Sequence, residues 1–234
     1  MSQIQLKNVG QTFVSEGVPV TLFESLDLTI EQGQAYAITG PSGAGKSSLL
    51  MLLAGLEQPT SGEIFYLKNA KQLALSTMRD QVGFIFQQFH LLPELTALNN
   101  VALPLKLRGE KNATKQAEKW LTRVGLAHRL HHKPAELSGG EQQRVAIARA
   151  LIFNPSFIFA DEPTGNLDQH NAKHIAELLL TCCRENGAGL VIVTHSDELA
   201  HQADHVFTLN HGQCLPKKNQ EQSTSIDELR GQAC

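Results

Sequence analysis

No long apolar run occurs in this sequence. The longest, Leu49 to Leu56, is broken by Gly55 and falls far short of the ~20 residues a helix needs to cross a bilayer. The chain is therefore not expected to span a membrane by itself. Cysteine is scarce and unpatterned. Cys182 and Cys183 are adjacent, Cys214 stands alone and Cys234 is last, which makes neither a disulfide framework nor a CxxC or metal spacing and predicts the reduced thiols of a cytoplasmic protein. A basic excess is missing too. The formal net charge is −3, and Lys217-Lys218 close to Glu221 forms no basic stripe, so nucleic acid is not an expected partner. The start, Met1 to Lys7, alternates polar and apolar residues and lacks the apolar core of an export signal, so none is predicted. No internal repeat is found.

The rest of the sequence is strongly patterned. Period-2 alternation marks Ile4–Val9 and Leu26–Ile30 as strands, with Gly33 turning the chain after the second. A short apolar strand, Ala35–Thr39, runs into a glycine-rich loop from Gly40 to Gly45. A helix carrying Leu49, Leu50, Leu52 and Leu53 follows. Strands are predicted again at Glu63–Leu67 and Val82–Phe86. From there to about Asn154 the pattern predicts helices alone: Ala97–Leu107, Thr114–Val124 and Gly140–Phe153. Strands return at Phe157–Ala160, Leu190–Thr194 and Val206–Leu209, separated by helices around Ile175–Cys183 and Glu198–Ala203. Such alternation argues for an α/β fold on a mostly parallel sheet. The expected organisation is one domain over 1–216, with a core lobe of about 1–87 and 155–216 and a helical lobe of about 88–154. The polar composition of 217–234 predicts a mobile tail.

Gly40-Pro41-Ser42-Gly43-Ala44-Gly45-Lys46-Ser47 fits G-x-x-x-x-G-K-[ST] and sits between a predicted strand and a predicted helix, the context that phosphate loop requires. Glycines let consecutive backbone N–H groups turn inward, and the helix that follows adds partial positive charge. Lys46 is expected to reach the β- and γ-phosphates and the Ser47 hydroxyl to ligate Mg²⁺, with Ser48 a further phosphate contact. A chance glycine-rich turn is the bland alternative. Further on, Phe157-Ile158-Phe159-Ala160 ends in Asp161-Glu162-Pro163. Acids at the carboxyl end of a buried strand lie where α/β sheets bind ligands. Asp161 is expected to hold Mg²⁺, and Glu162 to orient or deprotonate an attacking water. Alone, the pair could equally be a solvated turn before proline.

Leu137-Ser138-Gly139-Gly140-Glu141-Gln142-Gln143-Arg144 carries the most information. Ser138-x-x-Glu141 is a capping box, and two glycines at a helix start leave its amides bare, a second anion site. A plain helix cap explains Ser138 and Glu141 but not Gly139-Gly140. With this segment the chain resembles the ATP-binding cassette (ABC) ATPases over roughly residues 3–213, with each family element in order. Gln87 falls at the Q-loop, Asn166-Leu167-Asp168 resembles the D-loop, and His195 resembles the switch histidine. Phe13 falls where the family usually has an aromatic that stacks on adenine.

The resemblance implies an α/β P-loop NTPase (RecA-like) core with a mostly parallel sheet, an N-terminal antiparallel β subdomain and an inserted α-helical subdomain. It implies catalytic roles for Glu162, His195 and Gln87, and Mg²⁺ held by Ser47, Gln87 and Asp161. It also implies a head-to-tail homodimer with two ATP molecules between the chains, each touching Ser138, Gly139 and Gly140 of the other chain, with Asp168 near the seam. Within the family, Phe84 to Leu98 and Gly165 to Asp168 most resemble the ATPases of lipoprotein-releasing and MacB-like export systems. These partner integral membrane subunits at the cytoplasmic face of the inner membrane. A soluble ABC protein of translation or DNA repair is the alternative, though the chain lacks the second cassette or the long coiled-coil insertion of those types. A P-loop kinase is a third class, in which the Leu137–Arg144 segment would have no role. Phe89, Leu91, Leu92 and Leu95 beside Pro93 are read either as a docking surface for the membrane subunit or as core. Among the other histidines, His201 and His205 stand four apart on a predicted helix, without an HExxH motif or cysteine partner.

Overall fold

The structure, a computed structural model, describes residues 1–15 and 17–217; the tail predicted beyond 217 lies outside them. Two long strands, β1 (Ser2–Ser15) and β2 (Val18–Glu31), pair antiparallel, and β4 (Ser61–Lys68) and β5 (Lys71–Leu73) extend the sheet in the order β2-β1-β4-β5. Alternation buries Ile4 and Leu6 on β1 and Leu26, Leu28 and Ile30 on β2. Strict alternation would turn Val9 outward. The register shifts between Leu6 and Val9, where Asn8 has φ of 52° and its N–H donates to Asp27 Oδ1 at 2.8 Å. This bulge returns Val9 to the core.

The second sheet runs β10-β9-β3-β8-β7-β6. Its parallel strands are β3 (Ala35–Thr39), β6 (Val82–Phe86), β7 (Phe157–Asp161), β8 (Gly189–Val193) and β9 (His205–Asn210), and β10 (Gln213–Pro216) pairs antiparallel with β9. Parallel strands read as unbroken apolar runs because both faces are covered. On β7, Phe157 and Phe159 pack towards α1 (Lys46–Leu53) and the antiparallel sheet. Ile158 and Ala160 join the opposite cluster, built from α3 (Ala97–Leu107), α4 (Ala113–Arg123), α5 (Gly139–Leu151) and α6 (Gln169–Glu185). Leu49, Leu50, Leu52 and Leu53 of α1 are all fully buried, so the helix is largely enclosed and keeps its polar residues, Ser47 and Ser48, at its open start.

The three helices between β6 and β7 pack on one another and share one continuous apolar cluster with the sheet. Two short helices, α2 (Leu75–Met78) and α7 (Asp197–Ala200), complete the elements used below. The sequence pattern predicted neither β5 nor β10. Both are short edge strands, and Lys71-Gln72-Leu73 is exposed throughout, so no alternation marks it. Lys217, the first residue assigned to the mobile tail, is tied down: its N–H donates to Val206 O at 2.8 Å and Nζ lies 2.9 Å from Asp197 Oδ1. His201 caps α7 while His205 begins β9, so the predicted single helix carrying both does not form. The intervening Ala203 and Asp204 turn the chain back to the sheet.

Candidate functional site

Five sequence-predicted groups converge at the carboxyl ends of adjacent strands. After β3 the chain enters the loop at Gly40, whose φ is +150° and where a Cβ would stand 2.2 Å from the carbonyl oxygen of Leu209 on β9. Only glycine fits so close to that strand. Gly43 and Gly45 also have positive φ, 80° and 92°. Gly45 caps α1 without a side-chain hydrogen bond, leaving the first amides of α1 bare for an anion. Lys46 is buried and arcs back over the loop. Nζ donates to Gly40 O at 2.9 Å and Pro41 O at 3.0 Å, and it stands 3.4 Å from His195 Nε2. Burial pushes its ammonium pKa down, and the Glu162 and Asp161 carboxylates pull it back up. Ser47 is exposed and Ser48 half-buried.

Asp161 closes β7 opposite Phe86 and Val193. Glu162 follows in the left-handed region with φ of 46°, a conformation a non-glycine residue adopts only when its surroundings impose it. Here the Glu162 N–H donates to Val193 O at 2.9 Å, and Glu162 Oε2 accepts from the His195 N–H at 3.3 Å. Oε1 lies 3.3 Å from His195 Nε2 without making a hydrogen bond, so this buried oxygen has no donor among the described residues. A buried carboxylate oxygen beside the lysine-bearing loop is thus left with its hydrogen-bonding capacity unused within the chain. Gln87, just beyond β6, is tied to the loop after Glu162. Its Nε2 donates to Asn166 Oδ1 at 3.2 Å, and Asn166 Nδ2 donates to Gln87 O at 2.9 Å.

The Ser138 segment sits elsewhere. Ser138 caps α5, its hydroxyl accepting from the Glu141 N–H at 3.3 Å, while Glu141 Oε2 accepts from the Ser138 N–H at 2.8 Å. The Ser138 amide chiefly, aided by its hydroxyl and Arg129, holds the Glu141 carboxyl below its usual range against partial burial. Cβ atoms added at Gly139 and Gly140 would touch Leu167 and Phe89, and Asn171, respectively; none of these belongs to the phosphate loop. Asp168 caps α6 by accepting from the Asn171 N–H at 3.0 Å, a bond that lowers its pKa. Phe13 is exposed on β1 opposite Val20. Val20 lines a cavity of about 750 Å³ with Leu22, Pro41, Ser42, Gly43 and Gly212. That cavity reaches the 41–44 stretch of the phosphate loop, and Asp161 and Glu162 are not among its lining residues.

Pattern reading missed three interior polar residues. Gln143 on α5 is fully buried, and its Nε2 donates to Pro163 O at 2.7 Å, next to Glu162. Asn100, also fully buried, holds the 92–96 turn. Arg149 near the end of α5 donates to Phe89 O at 2.8 Å and His90 O at 2.6 Å. Both acceptor residues have positive φ, and burial pushes the Arg149 pKa down. The sequence signal for Gln143 was its place within the Leu137–Arg144 segment, which gave it no role of its own. Gln143→Leu is expected to cost about 1 kcal/mol net, because losing the Pro163 bond is offset by removing the donorless Gln143 Oε1. Its diagnostic effect is kinetic: turnover at the phosphate-loop site should fall while KM holds, in steady-state assays on a variant shown to be folded.

Residues 23–165 match the family described as ABC transporter. This chain belongs to the ABC transporter family. Among its relatives, the lipoprotein-releasing system ATP-binding protein LolD of Idiomarina loihiensis is 44% identical over 216 residues, covering 89% of this chain and 95% of the relative. LolD of Acinetobacter baylyi is 46% identical over 222 residues, covering 91% and 97%. The solved dimeric ATP-binding cassette MJ0796 in a post-hydrolysis state bound to ADP and Pi superposes with a TM-score of 0.81 at 37% identity, over 92% of this chain and 98% of that one. A second dimeric structure of MJ0796, described as a bacterial ABC transporter cassette, gives 0.79 at 38% identity. The fold is that of an ABC cassette: a P-loop α/β core with a mostly parallel sheet and an antiparallel N-terminal sheet. The chain is an ATP-binding ABC ATPase.

Proposed function

We propose that this cassette hydrolyses ATP as a head-to-tail homodimer that drives an integral membrane partner in lipoprotein release, at the cytoplasmic face of the inner membrane. The lipoprotein assignment rests on the names and near full-length identity of the LolD relatives. No helix of the described residues is long and apolar enough to cross a membrane. One observation carries the dimer. The bare helix start at Ser138-Gly139-Gly140 packs beside Leu167 and Asn171 rather than on its own phosphate loop, so the second anion site has its nucleotide supplied by a partner. The working unit is one domain over 1–216 with the helical lobe of about 88–154 inserted.

In this reading Lys46 and the backbone N–H groups of 42–48 bind the phosphates, with Gly40 and Pro41 shaping the loop, and Ser47, Gln87 and Asp161 offer hydroxyl, amide and carboxylate oxygens. Hard oxygen donors of this kind suit Mg²⁺, and the amide group of Gln87 engages Asn166 through nitrogen, not oxygen. When bound, the cation neutralises charge on the phosphates. Glu162 Oε1 takes the proton of the attacking water, and His195, anchored through its N–H on Glu162 Oε2, holds the far side of the γ-phosphate. Phe13 stacks on the adenine, and Asp168 links the two sites at the seam.

Mixing variants tests the composite site. Chains with Ser138→Arg and chains with Lys46→Ala each lose both sites of their own dimer. A mixed dimer built head-to-tail regains one intact site, so ATP binding should reappear only on mixing. Absence of any recovery in equilibrium binding would place each complete site within one chain.

A further inference from the structure

Away from the nucleotide site, two imidazoles face each other on α6. His170 and His174 are four residues apart, both exposed, with Nε2 atoms 3.3 Å apart, ring centroids 4.5 Å apart and ring planes at 69°. A one-turn spacing puts two side chains on the same helix face, and here the two facing atoms are both Nε2, the nitrogens that bind metals. A tetrahedral cation with Zn–N bonds of about 2.0–2.1 Å holds its nitrogens roughly 3.3–3.4 Å apart. The observed separation is that bite.

The helix beneath is rigid. Asp168 caps it through the Asn171 N–H, and Asn171 Nδ2 donates to Asp168 Oδ2 at 2.6 Å. One turn further, Ile175, Ala176, Leu179 and Leu180 anchor its inner face in the core. Both ligands therefore stand on a fixed element, which reduces the ordering cost of chelation. Among the described residues no third His, Cys, Asp or Glu joins them, so a bound ion keeps open positions for water.

We propose that His170 and His174 form a bidentate site for one tetrahedral Zn²⁺ per chain, a cation that imidazole suits. The site starts two residues after Asp168, and Asn171 between its ligands lies against Gly140 of the α5 start. A cation bridging the first two turns of α6 therefore clamps the segment that supports this contact.

Calorimetric titration of the full chain with zinc sulfate tests this without any nucleotide. The expected result is one site per chain, weakened roughly tenfold or more by His170→Ala or His174→Ala, since each leaves a single imidazole without its chelating partner. His170→Gln keeps side-chain length and should lose the same site, while His201→Ala should not change it. Circular dichroism confirms the folding of each variant, and tetrahedral Co²⁺ absorption should vanish in His170→Ala/His174→Ala. Undiminished affinity in that double variant, or half a cation per chain, would overturn the proposal.

Discussion

Glu162→Gln is expected to lower kcat for ATP hydrolysis by about 10²–10⁴, the usual worth of a general base, while ATP binding persists. The substitution is close to isosteric. The amide oxygen of glutamine can still accept from the His195 N–H, as Glu162 Oε2 does at 3.3 Å, so the strained turn at φ of 46° keeps its support. What disappears is the proton acceptor at Oε1, buried and without a donor. Retained binding with blocked hydrolysis should leave the dimer closed on ATP, visible as a dimer by sedimentation in ATP but not in ADP. Hydrolysis within a few-fold of the unaltered chain would remove Glu162 from the role.

The largest expected stability effect lies at Asn100. This fully buried side chain accepts from the Leu92 N–H at 2.8 Å and donates to the carbonyls of Leu92, Leu95 and Thr96 at 3.1, 3.1 and 3.2 Å. Its amide replaces the backbone partners that the irregular 92–96 turn lacks. Asn100→Leu keeps the branching of the side chain but strands the Leu92 N–H and the Leu95 carbonyl, each at about 1–3 kcal/mol, while the Leu92 and Thr96 carbonyls keep the Leu95 and Asn100 N–H groups as donors. A total loss of about 3 kcal/mol or more is expected, read as a Tm lower by roughly 6–12 °C for a domain of this size. A Tm within 2 °C of the unaltered chain would show, by the same scaling, that the turn holds itself by other means.

That turn also shows how far sequence reading reached. Phe89, Leu91, Leu92 and Leu95 were read either as a docking surface or as core. The structure divides them: Leu91 packs against the main cluster, Phe89 and Leu95 are half-buried, and Leu92 is 42% exposed. Composition could not decide, because the division follows from how Asn100 folds the backbone. Elements with strong periodicity were legible almost to the residue, among them β3, β6 and α3. So was the phosphate loop, where local spacing alone dictates the chemistry. Gln143 and Arg149 were not. On a helix they read as ordinary polar residues, and their meaning lies in acceptors 20 and about 60 positions away. Periodicity reports which face of a helix is buried, not which carbonyl waits there.

Arg149 and Ser138 together give α5 a mechanical character. The helix spans Gly139–Leu151, about 20 Å at 1.5 Å per residue. One end presents the bare amides proposed to meet a partner's nucleotide. Near the other, Arg149 grips the carbonyls of Phe89 and His90, just beyond Gln87. Midway, Gln143 is fastened to the proline that follows Glu162. A stiff rod fixed at three points cannot tilt at one without moving the others. Any nucleotide-driven shift of the Ser138 end is thereby felt both at the hydrolytic carboxylate and at the 89–95 surface, with no need for a flexible relay between them.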